Sequence, residues 1–339
     1  MSLTSHLRDS NSPIGQFIRQ RFSQSPSITR IANPQLRGAR TINPGFASSI
    51  YGHLGMAIDY RIRYYFTVTP KEHLAAWYGA PKLVVKPWEN ENDSSFNWRV
   101  MPKGMNIPLP GRGSASTRTS FEVAQGPYSL ELLIAFFDSL DATLHTIQPI
   151  GRRLEPDEER LLARYCFILG LFEEPYRTGH YAEELLLLPA PRKSIDELLA
   201  IPENAWVDDL CTLSTLFYDN YHPLLSRPFT LNPTFAGSSD VGGADADLIV
   251  DDCLIEIKSS IRAGIDSSWL HQLVGYILLD YDDQHHLHSV GIYMARQGLL
   301  LTWSLMDFLC LLTGNDQISL SQLRQEFRTV CQQRSGQRR

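Results

Sequence analysis

Residues 242–260 read GGADADLIVDDCLIEIKSS, and two short apolar runs within them, 244–250 (ADADLIV) and 253–259 (CLIEIKS), flank the pair Asp251-Asp252. Apolar runs of this length around a turn pair predict a hairpin in which Val250 pairs with Cys253. That register sets Asp247 opposite Glu256 and Asp245 opposite Lys258. Side chains alternate along a strand, so these four polar residues share one face. Ala246, Leu248, Val250, Cys253, Ile255 and Ile257 take the other face, toward a core. Carboxylates facing each other across a strand pair repel, and folding alone would avoid the arrangement. A hard divalent cation removes the penalty, because Mg²⁺ takes a few carboxylate oxygens and keeps waters for a phosphate. Lys258 would stand beside such a cation, able to orient a water and offset charge on a phosphoryl group. A solvated surface hairpin with a weak Asp245–Lys258 salt bridge accounts for D-x8-E-x-K alone equally well.

Working outward, residues 267–281 (SSWLHQLVGYILLDY) predict a helix that places Gln272 and Tyr276 one turn apart on the same face. A glutamine on an otherwise apolar helix needs a hydrogen-bonding reason. A strand is expected near 289–295, and 298–314 reads as a buried strand and helix, since Asp307 interrupts a tract too short to span a bilayer. Upstream, helices are expected over 14–22, about 129–147, and 156–174, the last opened by Pro156 and three acids and ended at Pro175. Residues 195–218 read as helical with a break near Pro202, residues 56–68 fit neither period cleanly, and 81–116 read as irregular. Helix, paired strands, helix, strand indicates a mixed α/β or α+β domain over about 155–315. The expected division is a helical or mixed extension at 1–150 and the α/β domain with C-terminal helices and a basic tail at 151–339.

The 339 residues are 43% hydrophobic and 20% charged, which argues against a disordered or fibrous chain. Five scattered cysteines without a CxxC pair argue against a disulfide framework and a thiolate-held zinc or iron–sulfur centre. The start lacks the apolar run of a secretory signal, so a cytoplasmic protein with no membrane partner is expected. The net charge of −6 is uneven: residues 1–40 hold six Arg against one Asp, and 323–339 hold five Arg against one Glu. Basic ends on an acidic body fit a polyanion partner, and solvated tails explain them equally well.

D-x8-E-I-K followed 14 residues after the lysine by Q-x3-Y resembles the PD-(D/E)XK nuclease superfamily, in particular its RecB-like branch. The resemblance covers roughly 155–300. It implies a restriction-endonuclease-like core, a central mixed sheet flanked by helices, and hydrolysis of DNA phosphodiester bonds with Mg²⁺ or Mn²⁺. Asp247 matches the metal-binding aspartate, Glu256 the second ligand, and Lys258 the catalytic lysine. Gln272 and Tyr276 match the helix bordering the active site. The family also uses an acid on a helix before the sheet, for which Glu173 is the candidate and an exposed helix-end glutamate the alternative. Asp245 leaves the identity of the metal aspartate open, and the register favours Asp247. The family's usual proline is missing before these aspartates. No GxxxxGK[ST] loop is present, so any helicase or ATPase would be a separate partner. The implied setting is prokaryotic DNA repair, recombination or defence. The competing class is a DNA-binding or assembly protein on a nuclease fold without catalysis.

Two further clusters invite a functional reading. His285, His286 and His288 follow three aspartates, and a solvated loop is the favoured reading. Arg61, Arg63, Tyr64 and Tyr65 interleave base and ring as a single-strand-binding surface would, and a partly buried strand accounts for them equally well.

Overall fold

The computed structural model describes residues 2–46, 50–80, 130–178 and 194–336. They form two compact units that interleave along the sequence. One comprises Met1–Tyr51, Gly151–Arg153 and Thr212–Arg339, and the other Gly52–Ile150 and Leu154–Cys211. Residues before Tyr51 thus group with the sheet rather than with the residues that follow them. No helix among the described residues is long and apolar enough to cross a membrane.

The first unit is built on a five-stranded sheet in the order β1 (Phe229–Leu231), β2 (Leu248–Val250), β3 (Cys253–Lys258), β4 (Ser289–Met294), β5 (Leu299–Ser304). All neighbours are antiparallel except β3 and β4, which run parallel over six residue pairs. A parallel pair needs a crossover, and α10 (Ser267–Leu279) supplies it. The Asp266 carboxylate caps this helix by accepting the Ser268 N–H at 2.8 Å. The helix following β5, α11 (Leu305–Thr313), is capped by Ser304 and closed by Gly314 in the left-handed conformation. One face of the sheet, carrying Ile249, Leu254 and Ile292, packs in a core with Leu270, Leu273, Val274 and Ile277 of α10. The N-terminal helices α1 (Leu3–Arg8), α2 (Pro13–Arg21) and α3 (Ser25–Gly38) join that core through Leu3, Ile14, Ile18, Ile28 and Leu36. On the opposite face, Tyr293 of β4 meets Phe217 and Tyr221 edge-on at 5.2 and 5.4 Å. Both faces are therefore covered, which is why Leu248, Ile249 and Val250 are all buried.

The second unit is helical where described: α4 (Tyr51–Phe66, from Gly52 onward), α5 (Ala75–Gly79), α6 (Leu130–Ile147), α7 (Pro156–Thr178), α8 (Ile195–Leu199), and α9 (Asn204–Tyr221) up to Cys211. Helix α4 is buried around most of its circumference, which explains why residues 56–68 show no clean amphipathic period. Arg61–Tyr65 are therefore interior and helical, so neither the binding surface nor the partly buried strand weighed for them is formed. Arg61 is fully buried, gives two hydrogen bonds to Glu159 at 2.8 and 2.7 Å, and stacks 3.7 Å over Tyr65. The break near Pro202 is present, and Arg164 fastens it by donating to the Leu199 and Pro202 carbonyls, each at 2.8 Å. Pro175, by contrast, does not end α7, which continues to Thr178. Side-chain ties hold this last stretch, with Glu174 on His53 at 2.9 Å and Glu173 paired to Arg177. The irregular segment expected at 81–116 lies outside the described residues.

Removing one member of a buried ion pair strands the other charge. Glu159→Leu is expected to destabilise the protein by about 3–5 kcal/mol, read as a lowered urea midpoint, and Arg61→Met/Glu159→Leu to recover part of that loss. A double variant less stable than the single one would count against a net cost for the unpaired arginine.

Candidate functional site

The β2–β3 turn forms as the sequence predicts. Val250 pairs with Cys253 and Leu248 with Ile255, while Asp251 adopts a left-handed φ of 54°, a conformation that aspartate tolerates. The Asp251 carboxylate accepts from Arg227 at 2.8 Å. Beyond Leu248 the expected register is not continued. Residues 245–247 instead extend the pairing that β2 already makes with β1, opposite 232–234. Ala246 N–H donates to the Pro233 carbonyl, Asn232 N–H donates to the Asp247 carbonyl, and Asp245 forms a single bridge with Thr234. Asp245 is therefore paired with Thr234 rather than with Lys258. The Asp247 carboxylate takes the Ile257 N–H at 2.7 Å, so the ladder stops one pair short of setting two carboxylates face to face. That ending avoids the repulsion such a pair would bring.

Glu256 and Lys258 share a strand face with Leu254, and this face turns toward the core beneath α10, with Glu256 buried and Lys258 partly exposed. Glu256 is only 3% exposed. A buried carboxylate requires a cation or strong donors, and Lys258 Nζ donates to Glu256 Oε1 at 2.9 Å. The same ammonium donates to Gln272 Oε1 at 3.1 Å, and Gln272 Nε2 donates to the Tyr276 hydroxyl at 2.8 Å. One continuous set of hydrogen bonds therefore joins β3 to α10. It gives Gln272 the reason the apolar helix demanded. Tyr276 stacks on Phe235 at 5.5 Å, and burial, followed by the charges of Glu256, Asp247 and Asp245, holds its phenol well above the usual tyrosine range. Three carboxylates thus act on one buried hydroxyl, with Lys258 as the cation between strand and helix.

The structure brings Asp247, Glu256, Lys258, Gln272 and Tyr276 together at the C-terminal end of β3. Glu173 stands in the helical unit, buried and paired with Arg177, and after burial its charge helps hold the Tyr60 phenol well above the usual tyrosine range. Phe235, which backs Tyr276, had no sequence signal, being an isolated aromatic residue after the turn residues Asn232 and Pro233. Of the histidines, His285 packs edge-on against Phe235 and meets the Thr234 carbonyl at 2.9 Å, while His286 and His288 are exposed beside Asp283 and Asp252. Burial pushes the Cys331 thiol up to about 11 and Cys211 up to about 12, so both remain protonated at neutral pH.

Among the described residues, no group of three or more His, Cys, Asp and Glu is placed to hold a metal ion. No family model, no curated protein and no solved structure matches the chain.

Lys258→Met would leave Glu256 buried without its ammonium, and a loss of about 2 kcal/mol is expected. Lys258→Met/Glu256→Gln should regain much of it in urea unfolding. An unchanged midpoint for the single variant would show that the pair adds no stability.

Proposed function

We propose that the sheet is a restriction-endonuclease-like core and that the protein is a metal-dependent nuclease hydrolysing DNA phosphodiester bonds. The observation that carries this reading is the position of the Lys258 ammonium. It is fixed by Glu256 and Gln272, two residues along the strand from one carboxylate and beside the arm bearing another, Asp247. Lysine is a poor choice for a purely structural donor here, since its charge must be desolvated and its long side chain ordered. At a phosphoryl-transfer centre the same charge has a use.

Mg²⁺ or Mn²⁺ is commonly held by one or two carboxylates with waters completing the shell. Two carboxylates suffice for such an ion, and Asp247 and Glu256 meet β3 at adjoining positions, through the Ile257 N–H and from the strand itself. Asp247 and Glu256 would hold it, and it would polarise the phosphate and lower the pKa of a bound water. Hydrolysis forms a P–O bond from water oxygen and breaks the bond to the leaving ester oxygen, which departs with its electron pair and takes up a proton. Lys258 would hold the attacking water in line and offset the charge growing on the phosphoryl oxygens. Gln272 would keep the ammonium in place, and Tyr276, protonated at any physiological pH, would hold Gln272.

A second reading, a nuclease-like fold that binds without cleaving, is favoured by one observation. Asp247 already accepts a backbone N–H and Glu256 already holds Lys258, as in a closed structural network.

Labelled single- and double-stranded DNA incubated with Mg²⁺ or Mn²⁺ separates the two. Cleavage is expected with the wild type and should fall about 100-fold or more in Asp247→Asn and in Lys258→Gln, with circular dichroism melts confirming folding. Cleavage undiminished in both folded variants would remove the hairpin from the reaction. An inactive wild type that shows no carboxylate-dependent Mn²⁺ binding by calorimetry would establish the non-catalytic reading.

A further inference from the structure

The loop 259–266 runs from Lys258 to helix α10 and is fastened at both ends to the N-terminal segment of the same unit. At one end, the fully buried Arg296 donates through Nε to the Ser259 carbonyl at 2.9 Å and through Nη1 to the Ile42 carbonyl at 3.3 Å, while Ile42 N–H donates back to the Arg296 carbonyl at 2.8 Å. At the other end, Asn33 Oδ1 of α3 accepts the Ile265 N–H at 2.9 Å. Residues 33–42 therefore lie antiparallel beside 259–265. Between the two fastenings, the N-terminal strip carries Arg37 and Arg40, and the loop carries Arg262. All three are exposed. Arg30, also exposed, precedes Asn33 by three positions and extends the row along α3, because residues three and four apart are neighbours on a helix.

Among the described residues near this row, Asp266 is the acid whose charge acts on Arg262. Residues 25–42 contain neither Asp nor Glu, so the strip bearing Arg30, Arg37 and Arg40 carries no acid of its own, while Asp266 also caps α10. Nor is the row a by-product of packing, since α3 meets its core through Ser25, Ile28, Ala32 and Leu36 on the opposite side. These arginines lie on the strip and on the loop that begins after Lys258, in a molecule whose net charge is −6, so the positive charge is local.

We propose that Arg37, Arg40 and Arg262, extended by Arg30, form a track for the phosphate backbone of DNA leading to Lys258. The choice of DNA rests on the hydrolytic reading above; the surface itself rests on the two fastenings and the charge between them. Guanidinium forks suit phosphate oxygens, and a run of them binds backbone without reading bases. Arg296 acts as a positioning residue, holding the loop and the N-terminal strip together from the interior.

Binding of a fluorescent DNA duplex to the full-length protein, followed by anisotropy in EDTA over a range of KCl concentrations, tests the track apart from cleavage. Arg37→Ala/Arg40→Ala/Arg262→Ala should weaken binding at least tenfold at low salt. It should also reduce the slope of log affinity against log salt by about three. A control variant, Arg8→Ala/Arg21→Ala/Arg227→Ala, removes three other exposed arginines of the same unit and the same net charge. It should bind almost as the wild type does. Equal losses in the two variants, no loss in the first, or no binding by the wild type would each overturn the proposal. So would a first variant that loses binding to anionic phosphatidylglycerol vesicles while keeping DNA. Should cleavage be absent while duplex binding depends on these three arginines, the hydrolytic reading falls and the track stands.

Discussion

A single ammonium, that of Lys258, bridges the central strand of the sheet to the helix that crosses over it, and much of the first unit is arranged to make that position tenable. The buried Glu256 carboxylate needs a cation. The cation in turn needs Gln272, and Gln272 needs a partner for its amide, which Tyr276 provides. Each requirement is met from a different turn of α10 or from β3 itself, so strand and helix are registered by polar contacts as well as by the apolar core around Leu254, Leu273 and Ile277. Buried polar networks of this kind specify one arrangement, because any slip leaves charges unpaired.

The same constraint shapes the hairpin. Were the β2–β3 ladder to continue, Asp247 would face Glu256 and add a second negative charge directly across the strand. The ladder with β3 instead stops at Leu248, while residues 245–247 keep their pairing with 232–234 on the β1 side. Asp247 still reaches β3 through the Ile257 N–H. The carboxylate thus stays near the site without the full repulsion of a facing pair, an arrangement that suits either an ion's arrival or a permanently closed network.

The parts of this structure legible in the sequence are those set by neighbours along the chain. The Asp251-Asp252 turn, the pairing of Val250 with Cys253, and the one-turn spacing of Gln272 and Tyr276 depend on residues within a few positions of one another. What was not legible depends on distant partners. The β2–β3 ladder ends at Leu248 with the Ile257 N–H on Asp247, and Glu159 partners Arg61 inside the helical unit. Pro175 shows the same limit: its local effect is to break a helix, but His53, far away in sequence, helps hold the last turn through Glu174. The burial of both sheet faces likewise follows from α9 and α10 covering opposite sides, which no alternation within β2 could disclose.

The interleaving of the two units bears on how the chain acquires its shape. Helices α2 and α3 present Ile14, Ile18, Ile28 and Leu36 to a core whose other side is supplied by α10, α11 and residues as distant as Phe327 and Cys331. During synthesis those apolar faces emerge first and find their partners last, after the intervening unit has been made. Contacts of such sequence separation slow folding and prolong the exposure of sticky surface. The nascent protein therefore has a long interval in which the apolar faces of α2 and α3 lack the partners that α10, α11 and the residues around Phe327 later provide.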